Sequence, residues 1–185
     1  MSGGEKWMIA SDLHGDADCT RRLLSRFSES GADRLILLGD LLYHGPRNDL
    51  PKGYDPKGVI ELLNGVADAL LCVRGNCDTE VDQMVLSFPI LGDYAFLSVD
   101  GLRILATHGH RFHLNQLPPL RRGDVLLHGH THVPTAEPFG QENLYLNPGS
   151  VSIPKEGSPN SYVIYENRRF TFHDLEGREY GRYEK

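Results

Sequence analysis

The stretch KWMIASDLHGD, residues 6–16, begins as an apolar run of strand length and ends in the polar residues Asp12 and His14. An apolar run of this length, stopped by polar and glycine residues, is typical of a short buried strand. A helix is predicted directly after it, with Asp16 or Asp18 as its N-cap. The stretch therefore predicts a β-α unit that presents acidic and imidazole side chains where its strand ends.

The same arrangement recurs twice further along the chain. Residues 34–38 form a second predicted strand that stops at Asp40, and residues 69–73 form a third that runs into Asn76. Between them Asp55, followed by proline, opens a second predicted helix. A β-α-β-α-β order implies parallel strands joined by right-handed crossovers.

The second half of the chain is predicted to be richer in hairpins. An Asp-Gly pair at 100–101 separates two apolar runs, and a closing hairpin is predicted around residues 166–169. Two further apolar runs, 125–127 and 144–146, precede polar segments. Because no repeat, low-complexity stretch or linker interrupts the sequence, we predict one α/β domain, residues 1–185.

The composition predicts a globular, mildly acidic protein. The 185 residues include 19 Lys and Arg against 25 Asp and Glu, a formal net charge of −6 with neutral histidines, and 39% are hydrophobic. That apolar fraction excludes a disordered chain, and the net acidity argues against general nucleic-acid binding. The three cysteines are odd in number, residues 1–5 are polar, and no apolar run approaches the length of a membrane span. We therefore expect a cytoplasmic protein that does not bind membranes.

Metal-competent side chains follow nearly every predicted strand. In chain order they are Asp12, His14, Asp40, Asn76, His108, His130 and His132. Ligands of α/β sheets bind beyond the carboxyl ends of the strands, so these distant residues would meet in one crevice. Carboxylates, an amide oxygen and imidazoles without a cysteine cluster suit Mn²⁺, Fe²⁺ or Zn²⁺. Such a set exceeds the needs of one tetrahedral zinc ion and suffices for two ions that share a carboxylate.

Taken one at a time, these residues have simpler explanations. Asp12 and His14 could cap the following helix, and Asp40 and Asn76 could be ordinary turn residues after a strand. Metal binding is favoured only because such residues recur at the ends of successive predicted strands.

In order, the motifs resemble those of the calcineurin-like metallophosphoesterases. They are Asp12-x-His14, Gly39-Asp40, Gly75-Asn76-x-Asp78, Thr107-His108-Gly109-His110 and Gly129-His130-Thr131-His132, and they span most of the chain. The resemblance implies a four-layer αββα sandwich of mixed sheets with a parallel N-terminal half. It also implies two ion sites that share Asp40, one with Asp12, His14 and His132, the other with Asn76, His108 and His130. A hydroxide bridging the ions would attack phosphorus in line, without a covalent enzyme intermediate.

A narrower resemblance is to the small bacterial YfcE-type phosphodiesterases. It rests on Gly-Pro-Arg-Asn at 45–48, on Arg-Gly-Asn-Cys-Asp at 74–78 followed by Glu-Val-Asp-Gln at 80–83, and on Asn-Pro-Gly-Ser-Val-Ser-Ile-Pro at 147–154. Many members of the wider family carry histidine at the position of Cys77, where it is thought to help the leaving group depart. A thiol is a weak donor, so Cys77 implies modest turnover and good leaving groups. The predicted catalytic residues are Asn76, Cys77 and His108.

Four more residues are predicted to contact the substrate. Arg74, Arg47 and Asn48 are candidates for binding the phosphate or its flanking groups, because arginine offers a bidentate fork to phosphate oxygens. A solvated loop position is the simpler explanation for Arg47. His110 lies outside the predicted ligand set and either faces the substrate or supports a metal ligand.

These residues together predict a metal-dependent phosphoric diester hydrolase that acts on a small-molecule phosphodiester. The predicted cofactors are two divalent metal ions, Mn²⁺ in first place, with Zn²⁺, Fe²⁺ or Mg²⁺ as alternatives. A phosphomonoesterase of the same fold stays open as an alternative function. A catalytically inactive protein-binding scaffold also stays open, since the small scaffold subunit of retromer has a similar fold. All the predicted ligand positions hold competent side chains, which favours an enzyme. A homo-oligomer formed through exposed strand edges is also left open.

Overall fold

A six-stranded mixed sheet combines the first three strands of the chain with the last three. The computed structural model describes residues 4–185, so residues 1–3 of the predicted domain and of its polar N-terminus lie outside the described residues. In spatial order the strands are β11 (Glu179–Glu184), β10 (Arg169–Asp174), β9 (Ser161–Glu166), β1 (Lys6–Ala10), β2 (Arg34–Leu37) and β3 (Leu70–Cys72). Strands β1, β2 and β3 are parallel, and β9, β10 and β11 are antiparallel to their neighbours.

The second sheet has five strands and is also mixed. In spatial order they are β4 (Tyr94–Val99), β5 (Leu102–Thr107), β6 (Val125–Leu127), β8 (Asn143–Asn147) and β7 (Thr135–Phe139). Strands β5, β6 and β8 are parallel, whereas β4 and β7 run antiparallel at the two edges. The predicted Asp-Gly hairpin is the β4–β5 pair.

The first two helices begin at the residues that the sequence indicates. Helix α1 is Ala17–Ser30, α2 is Pro56–Asn64 and α3 is Glu80–Gln83. The Asp16 carboxylate accepts a hydrogen bond from the N–H of Cys19 at 2.8 Å and so caps α1. Helix α1 ends at Gly31, whose φ of 65° is a left-handed conformation that glycine adopts without strain.

Two hydrophobic cores lie on the two faces of the first sheet. Alternate residues of a strand point to opposite faces, so Met8 and Leu35 pack towards the helices while Ile9 and Ile36 pack towards the second sheet. The core on the helical side includes Leu23, Val59 and Leu63, and the core between the sheets includes Ile104, Val125, Leu127, Leu144 and Leu146. The first sheet is therefore buried on both faces.

The predicted α/β fold of two mixed sheets is confirmed, with differences of detail. The parallel trio β5, β6 and β8 extends parallel pairing into the second half of the chain. Strands β7 and β11 and helix α3 were not predicted, because they are short, polar or, as with Pro138 in the edge strand β7, carry a residue that argues against a strand. The connection 108–124, all of it described, contains no helix, so it does not form the second outer helical layer that the resemblance implies.

The topology brings both parallel trios to one place. Polar loops follow β1, β2 and β3 in the first sheet and β5, β6 and β8 in the second. Side chains from these loops meet across the two sheets, as described below. Within residues 4–185, none of the helices has the length and apolar character that crossing a membrane requires.

Candidate metal centre

The loops after β1, β2 and β6 hold their polar residues in a rare backbone conformation. Asp12, His14, Asp40, His130 and His132 have φ angles of 58°, 46°, 56°, 68° and 62°. Residues with a Cβ atom seldom adopt this left-handed region, and strain of this kind concentrates at functional sites. The first two loops are joined directly, since the N–H of His14 donates to the carbonyl of Asp40 at 2.9 Å.

Asp12, His14 and His132 form the first cluster of predicted metal ligands. The Nε2 atom of His132 lies 3.2 Å from Oδ1 of Asp12 and 3.2 Å from Nε2 of His14. Nε2 of His14 lies 3.6 Å from Oδ1 of Asp12. All three side chains are buried, and their ligand atoms lie within 4.8 Å of one another.

Asp40, Asn76, His108 and His130 form the second cluster. Nε2 of His108 lies 3.4 Å from Oδ2 of Asp40, 3.1 Å from Oδ1 of Asn76 and 3.2 Å from Nδ1 of His130. Oδ2 of Asp40 is also 3.7 Å from Nε2 of His14. The Asp40 carboxylate therefore stands between the two clusters.

Backbone carbonyls orient three of the imidazole rings. The Nδ1–H groups of His14, His108 and His132 donate to the carbonyls of Tyr43 (2.8 Å), Leu38 (2.6 Å) and Ile153 (2.6 Å). Because a carbonyl oxygen can only accept, Nδ1 carries the proton and Nε2 is the nitrogen available as a ligand. Such second contacts fix the tautomer and the ring orientation of metal-binding histidines.

The carboxylates of Asp12 and Asp40 create a negative electrostatic environment that favours positively charged partners. Burial opposes ionisation of Asp12, but the neighbouring rings of His132 and His14 outweigh it and hold the pKa of the carboxyl well below its usual range. Burial likewise favours the neutral ring of His108, yet Asp40 and Asp12 raise its pKa to about 9. Protons on the imidazoles and divalent cations are thus alternative partners for the same two carboxylates.

His130 differs from the other rings in its electrostatic environment. Burial lowers its pKa to about 4, and the nearby His108 acts in the same direction. A metal ligand must be the neutral imidazole, and His130 is in that form at physiological pH.

The donor atoms of the two clusters fit divalent cations. Oδ1 of Asp12 is buried and has no hydrogen-bond partner, although Nε2 of His132 lies 3.2 Å from it. In the described part of the chain, the ion-pair partners of Asp12 and Asp40 are histidines, with no lysine or arginine among them. A buried carboxylate is costly without a cationic partner or hydrogen bonds. Oxygen and imidazole ligands of this kind suit a divalent metal ion.

A surface cleft of about 490 Å³ gives access to both clusters. Its lining includes the ligand candidates His14, Asp40, Asn76, His130 and His132, together with Cys77, Arg47, Asn48, Thr131 and Lys155. Asp12 and His108 are fully buried behind it. The structure thus brings two predicted substrate contacts, Arg47 and Asn48, to the mouth of the cleft.

The other two predicted substrate contacts lie elsewhere. Nε of Arg74 donates to the carbonyl of Asp78 at 3.2 Å, and its guanidinium lies 3.7 Å from the carboxylate of Glu80. The ring of His110 lies 5.4 Å from that of His108, centroid to centroid, and does not line the cleft. Substrate binding by Arg74 and His110 stays a prediction, and the position of His110 favours its alternative role beside a metal ligand.

Asp78 and Gly75 shape the loops around Asp40. The buried Asp78 carboxylate accepts hydrogen bonds from the N–H groups of Asp40 (2.9 Å), Leu41 (2.9 Å) and Gly75 (2.7 Å). Gly75 packs so closely on Asp40 that no side chain fits there. Both residues belong to the motif at 75–78, but the sequence indicates no role for either, because contacts between a side chain and the backbone of a loop leave no spacing pattern.

Cys77 lines the cleft beside Asp40. Its N–H donates to Oδ1 of Asp40 at 2.8 Å, and its sulfur lies 3.2 Å from Nδ2 of Asn76. Burial and the negative charge of Asp40 raise the pKa of the thiol far above its usual range. Cys77 therefore presents a neutral thiol, a weak donor, towards the cleft.

Lys155 is a cleft residue that the sequence reasoning missed. It follows Asn-Pro-Gly-Ser-Val-Ser-Ile-Pro at 147–154, and its N–H donates to the carbonyl of His132 at 3.2 Å. This contact brings an exposed cation to the rim beside a ligand candidate. Its position just after the last quoted motif was the one signal that could have singled it out.

Comparisons with known proteins agree with this geometry. A family model described as the calcineurin-like phosphoesterase superfamily domain matches residues 6–169. The chain is 52% identical over 162 residues to phosphodiesterase YfcE of Escherichia coli strain K12, covering 88% of each protein. It is 28% identical over 183 residues to the probable metallophosphoesterase YsnB of Bacillus subtilis strain 168, covering 93% of this chain and 92% of that protein.

The fold has a close match among solved structures. The structure of YfcE, a phosphoesterase from Escherichia coli, superposes with a TM-score of 0.93 at 48% sequence identity. The match covers 96% of this chain and 98% of the other. Sequence, fold and the geometry of the two clusters therefore lead to the same family.

Proposed function

The chain belongs to the calcineurin-like phosphoesterase superfamily, and from that membership we propose that it is a metal-dependent phosphodiesterase that uses two divalent ions. Membership together with the identity to a phosphodiesterase supports a hydrolase. One observation carries the rest of the proposal: imidazole nitrogens and two carboxylates converge at one cleft, and in the described residues the carboxylates pair with no lysine or arginine. The 52% identity to phosphodiesterase YfcE supports a diester as the substrate.

We assign the ligands to two ions that share the Asp40 carboxylate. One ion would be held by Asp12, His14 and His132, and the other by Asn76, His108 and His130. Two divalent ions held in this way would supply Lewis-acid activation of a water nucleophile and would stabilise the charge that develops on the phosphate oxygens. Mn²⁺ is the proposed ion. Zn²⁺, Fe²⁺ and Mg²⁺ are alternatives, because all four ions accept oxygen or imidazole ligands.

The chain's own residues have distinct parts in the proposed reaction. The carbonyls of Tyr43, Leu38 and Ile153 hold three imidazoles so that Nε2 faces the ion sites. Arg47 and Asn48 at the cleft mouth would bind phosphate oxygens or the flanking groups of the diester. Asn76, Cys77 and His108 stay the proposed catalytic residues. Cys77, a neutral thiol, is a weak donor for the departing alcohol, so good leaving groups should react fastest.

The proposal extends to partners and compartment. We propose a small-molecule phosphodiester as the substrate and no general affinity for nucleic acids, since the net charge is −6. The cytoplasm is the proposed compartment, because the cysteines at 19, 72 and 77 are free thiols. One domain over residues 1–185 stays a prediction, and a homo-oligomer stays an open alternative.

Metal removal and restoration test the proposed activity. Protein stripped with a chelator would receive Mn²⁺, Mg²⁺ or Zn²⁺ separately and be assayed on bis-p-nitrophenyl phosphate beside p-nitrophenyl phosphate. We expect metal-restored cleavage of the diester in preference to the monoester, and loss of this activity in Asp40→Asn and His108→Ala. His173→Ala, which changes a histidine on β10 that does not line the cleft, is the matched control and should keep wild-type activity.

Each alternative function has its own outcome. Preferred cleavage of the monoester would replace the proposal with a phosphomonoesterase. Metal-replete protein that cleaves neither ester would instead favour the protein-binding scaffold.

A further inference from the structure

The Asn-Pro-Gly-Ser segment at 147–150 contacts the loops that carry the proposed metal ligands. Asn147 ends β8 and is fully buried. Its side-chain Nδ2 donates to the carbonyl of Gly129 at 2.8 Å and to Oγ1 of Thr131 at 2.9 Å. Its Oδ1 accepts from the N–H of Gly149 at 2.8 Å. The amide nitrogen of Asn147 therefore donates to the loop of His130 and His132, and only the amide oxygen accepts a hydrogen bond from within the 147–150 turn.

The loop that Asn147 contacts is one that needs external support. His130 and His132 both have positive φ angles, 68° and 62°, which residues with a Cβ atom rarely adopt. Conformations of this kind persist only where surrounding contacts over-determine them. Asn147 bonds Gly129 and Thr131, the residues on either side of His130, and so constrains the backbone from which both ligand rings project.

The same segment also holds the first loop. Oγ of Ser150 donates to the carbonyl of Asp12 at 2.8 Å, and Oγ of Ser152 donates to it at 3.1 Å. Asp12 has a φ of 58°, so it too is strained. Its Oδ2 accepts from the N–H of His130 at 3.0 Å, which joins the two loops and leaves Oδ1 as the oxygen with no hydrogen-bond partner.

We propose that Asn147 is a positioning residue for the metal centre: its amide sets the loop of His130 and His132 and thereby the metal affinity of the protein. This rests on the proposed function, because it takes these histidines as ligands. A turn alone would not account for the contacts. The turn itself is secured by Gly149, with φ 83°, and by Ser161, whose Oγ donates to the carbonyl of Pro148 at 2.7 Å.

The same strand supplies a matched control. Asn143 begins β8, is also buried, and its Nδ2 donates to the backbone carbonyls of Arg121 at 2.7 Å and Asp124 at 3.3 Å. Replacing either asparagine by alanine removes a buried amide with backbone partners. One amide faces the proposed metal loops and the other faces the opposite end of the strand.

The experiment compares metal affinity with stability in Asn147→Ala and Asn143→Ala. Mn²⁺ affinity of chelator-stripped protein would be measured by calorimetric titration, and thermal unfolding would be followed in chelator. We expect both variants to lose stability, and Asn147→Ala alone to lose affinity, by about 10–100-fold, the range for residues that support metal ligands. Co²⁺ would serve as a second probe, since its visible spectrum should change in Asn147→Ala and stay unchanged in Asn143→Ala.

Thr131→Val keeps the proposal falsifiable if Asn147→Ala does not fold. It removes the Oγ1 acceptor of the 2.9 Å hydrogen bond from an exposed position and should lower the affinity in the same direction. Equal affinities in wild type, Thr131→Val and Asn147→Ala would overturn the proposal and leave Asn147 a residue of stability only. Wild-type protein that binds no metal would instead contradict the proposed function, so the two failures are distinguishable.

Discussion

A Cβ atom placed on Gly75 would lie 2.1 Å from Oδ1 of Asp40 and 2.3 Å from its backbone nitrogen. The opposite face of this contact is equally tight, since a Cβ on Gly39 would lie 2.3 Å from the nitrogen of Gly75. The loops after β2 and β3 therefore touch backbone to backbone. That contact is what brings the carboxylate of Asp40 next to Asn76, two proposed ligands from different loops.

Gly75→Ala should separate the two loops and weaken metal binding. The added methyl would meet the backbone and carboxylate of Asp40, and neither can rotate away as the end of a flexible side chain would. We expect loss of diesterase activity and a lower metal content by elemental analysis. Gly92→Ala is the matched control, because its Cβ would meet nothing closer than 3.8 Å. Wild-type metal content in Gly75→Ala would contradict this account.

Asp78→Asn should destabilise the fold and disturb the same loop. The carboxylate accepts from three backbone N–H groups, and an amide would direct its own N–H₂ at part of them. Leaving buried donors unpaired costs about 1–3 kcal/mol in the free energy of unfolding. Urea denaturation in the presence of chelator would measure the loss. The exposed Asp68→Asn should stay within about 0.5 kcal/mol of wild type, and a similarly small change in Asp78→Asn would refute the role assigned to that carboxylate.

The sequence predicted those parts of the fold and site that leave a periodic or ordered signal. The apolar runs of β1, β2 and β3 and the ordered motifs led to the parallel trio and to the ligand candidates, which the structure brings together. Lys155 left no such signal, because it approaches the cleft only through the fold of the segment after β8. Arg74 was singled out by its place in a motif; its guanidinium lies beside Glu80, and substrate binding by this residue stays a prediction.

Cys77→His should raise diesterase turnover. The thiol is held neutral by burial and by Asp40, so it donates weakly to a departing alcohol, whereas an imidazolium donates strongly. We expect a higher kcat that depends less steeply on the acidity of the leaving group. The measurement is kcat over a series of substituted phenyl diesters, with Cys77→Ser as the control of similar size. An unchanged or lower kcat with full metal content would count against it.

Lys155→Ala should weaken substrate binding more than it slows the chemical step. Lys155 lies at the rim with Arg47, and a contact made there to a phosphate or flanking group is equally strong in the ground and transition states. We expect KM to rise by about tenfold, the equivalent of one charge-assisted contact, with kcat changed less than about twofold. Lys52→Ala is the matched control, since Lys52 lines a neighbouring surface pocket and not the cleft. A fall in kcat with constant KM would place Lys155 among the reacting groups instead.

Divalent metal should stabilise the protein, and Asp12→Asn should remove that response. Oδ1 of Asp12 is buried without a hydrogen-bond partner, and the rings of His132 and His14 hold the pKa of this carboxyl well below its usual range. In chelator at neutral pH, Asp12→Asn should therefore be less stable than wild type, because the ionised carboxylate stabilises the folded state through these rings. Wild type should gain about 2.7 kcal/mol per site at a hundredfold excess of metal over Kd. Asp124→Asn is the matched control: that buried carboxylate accepts from the N–H of Arg121 at 2.8 Å, so its loss should also lower stability in chelator but keep the metal response. Thermal unfolding of the three proteins with chelator and with Mn²⁺ separates these cases, and an equal metal response in all three would mean that the ions bind elsewhere.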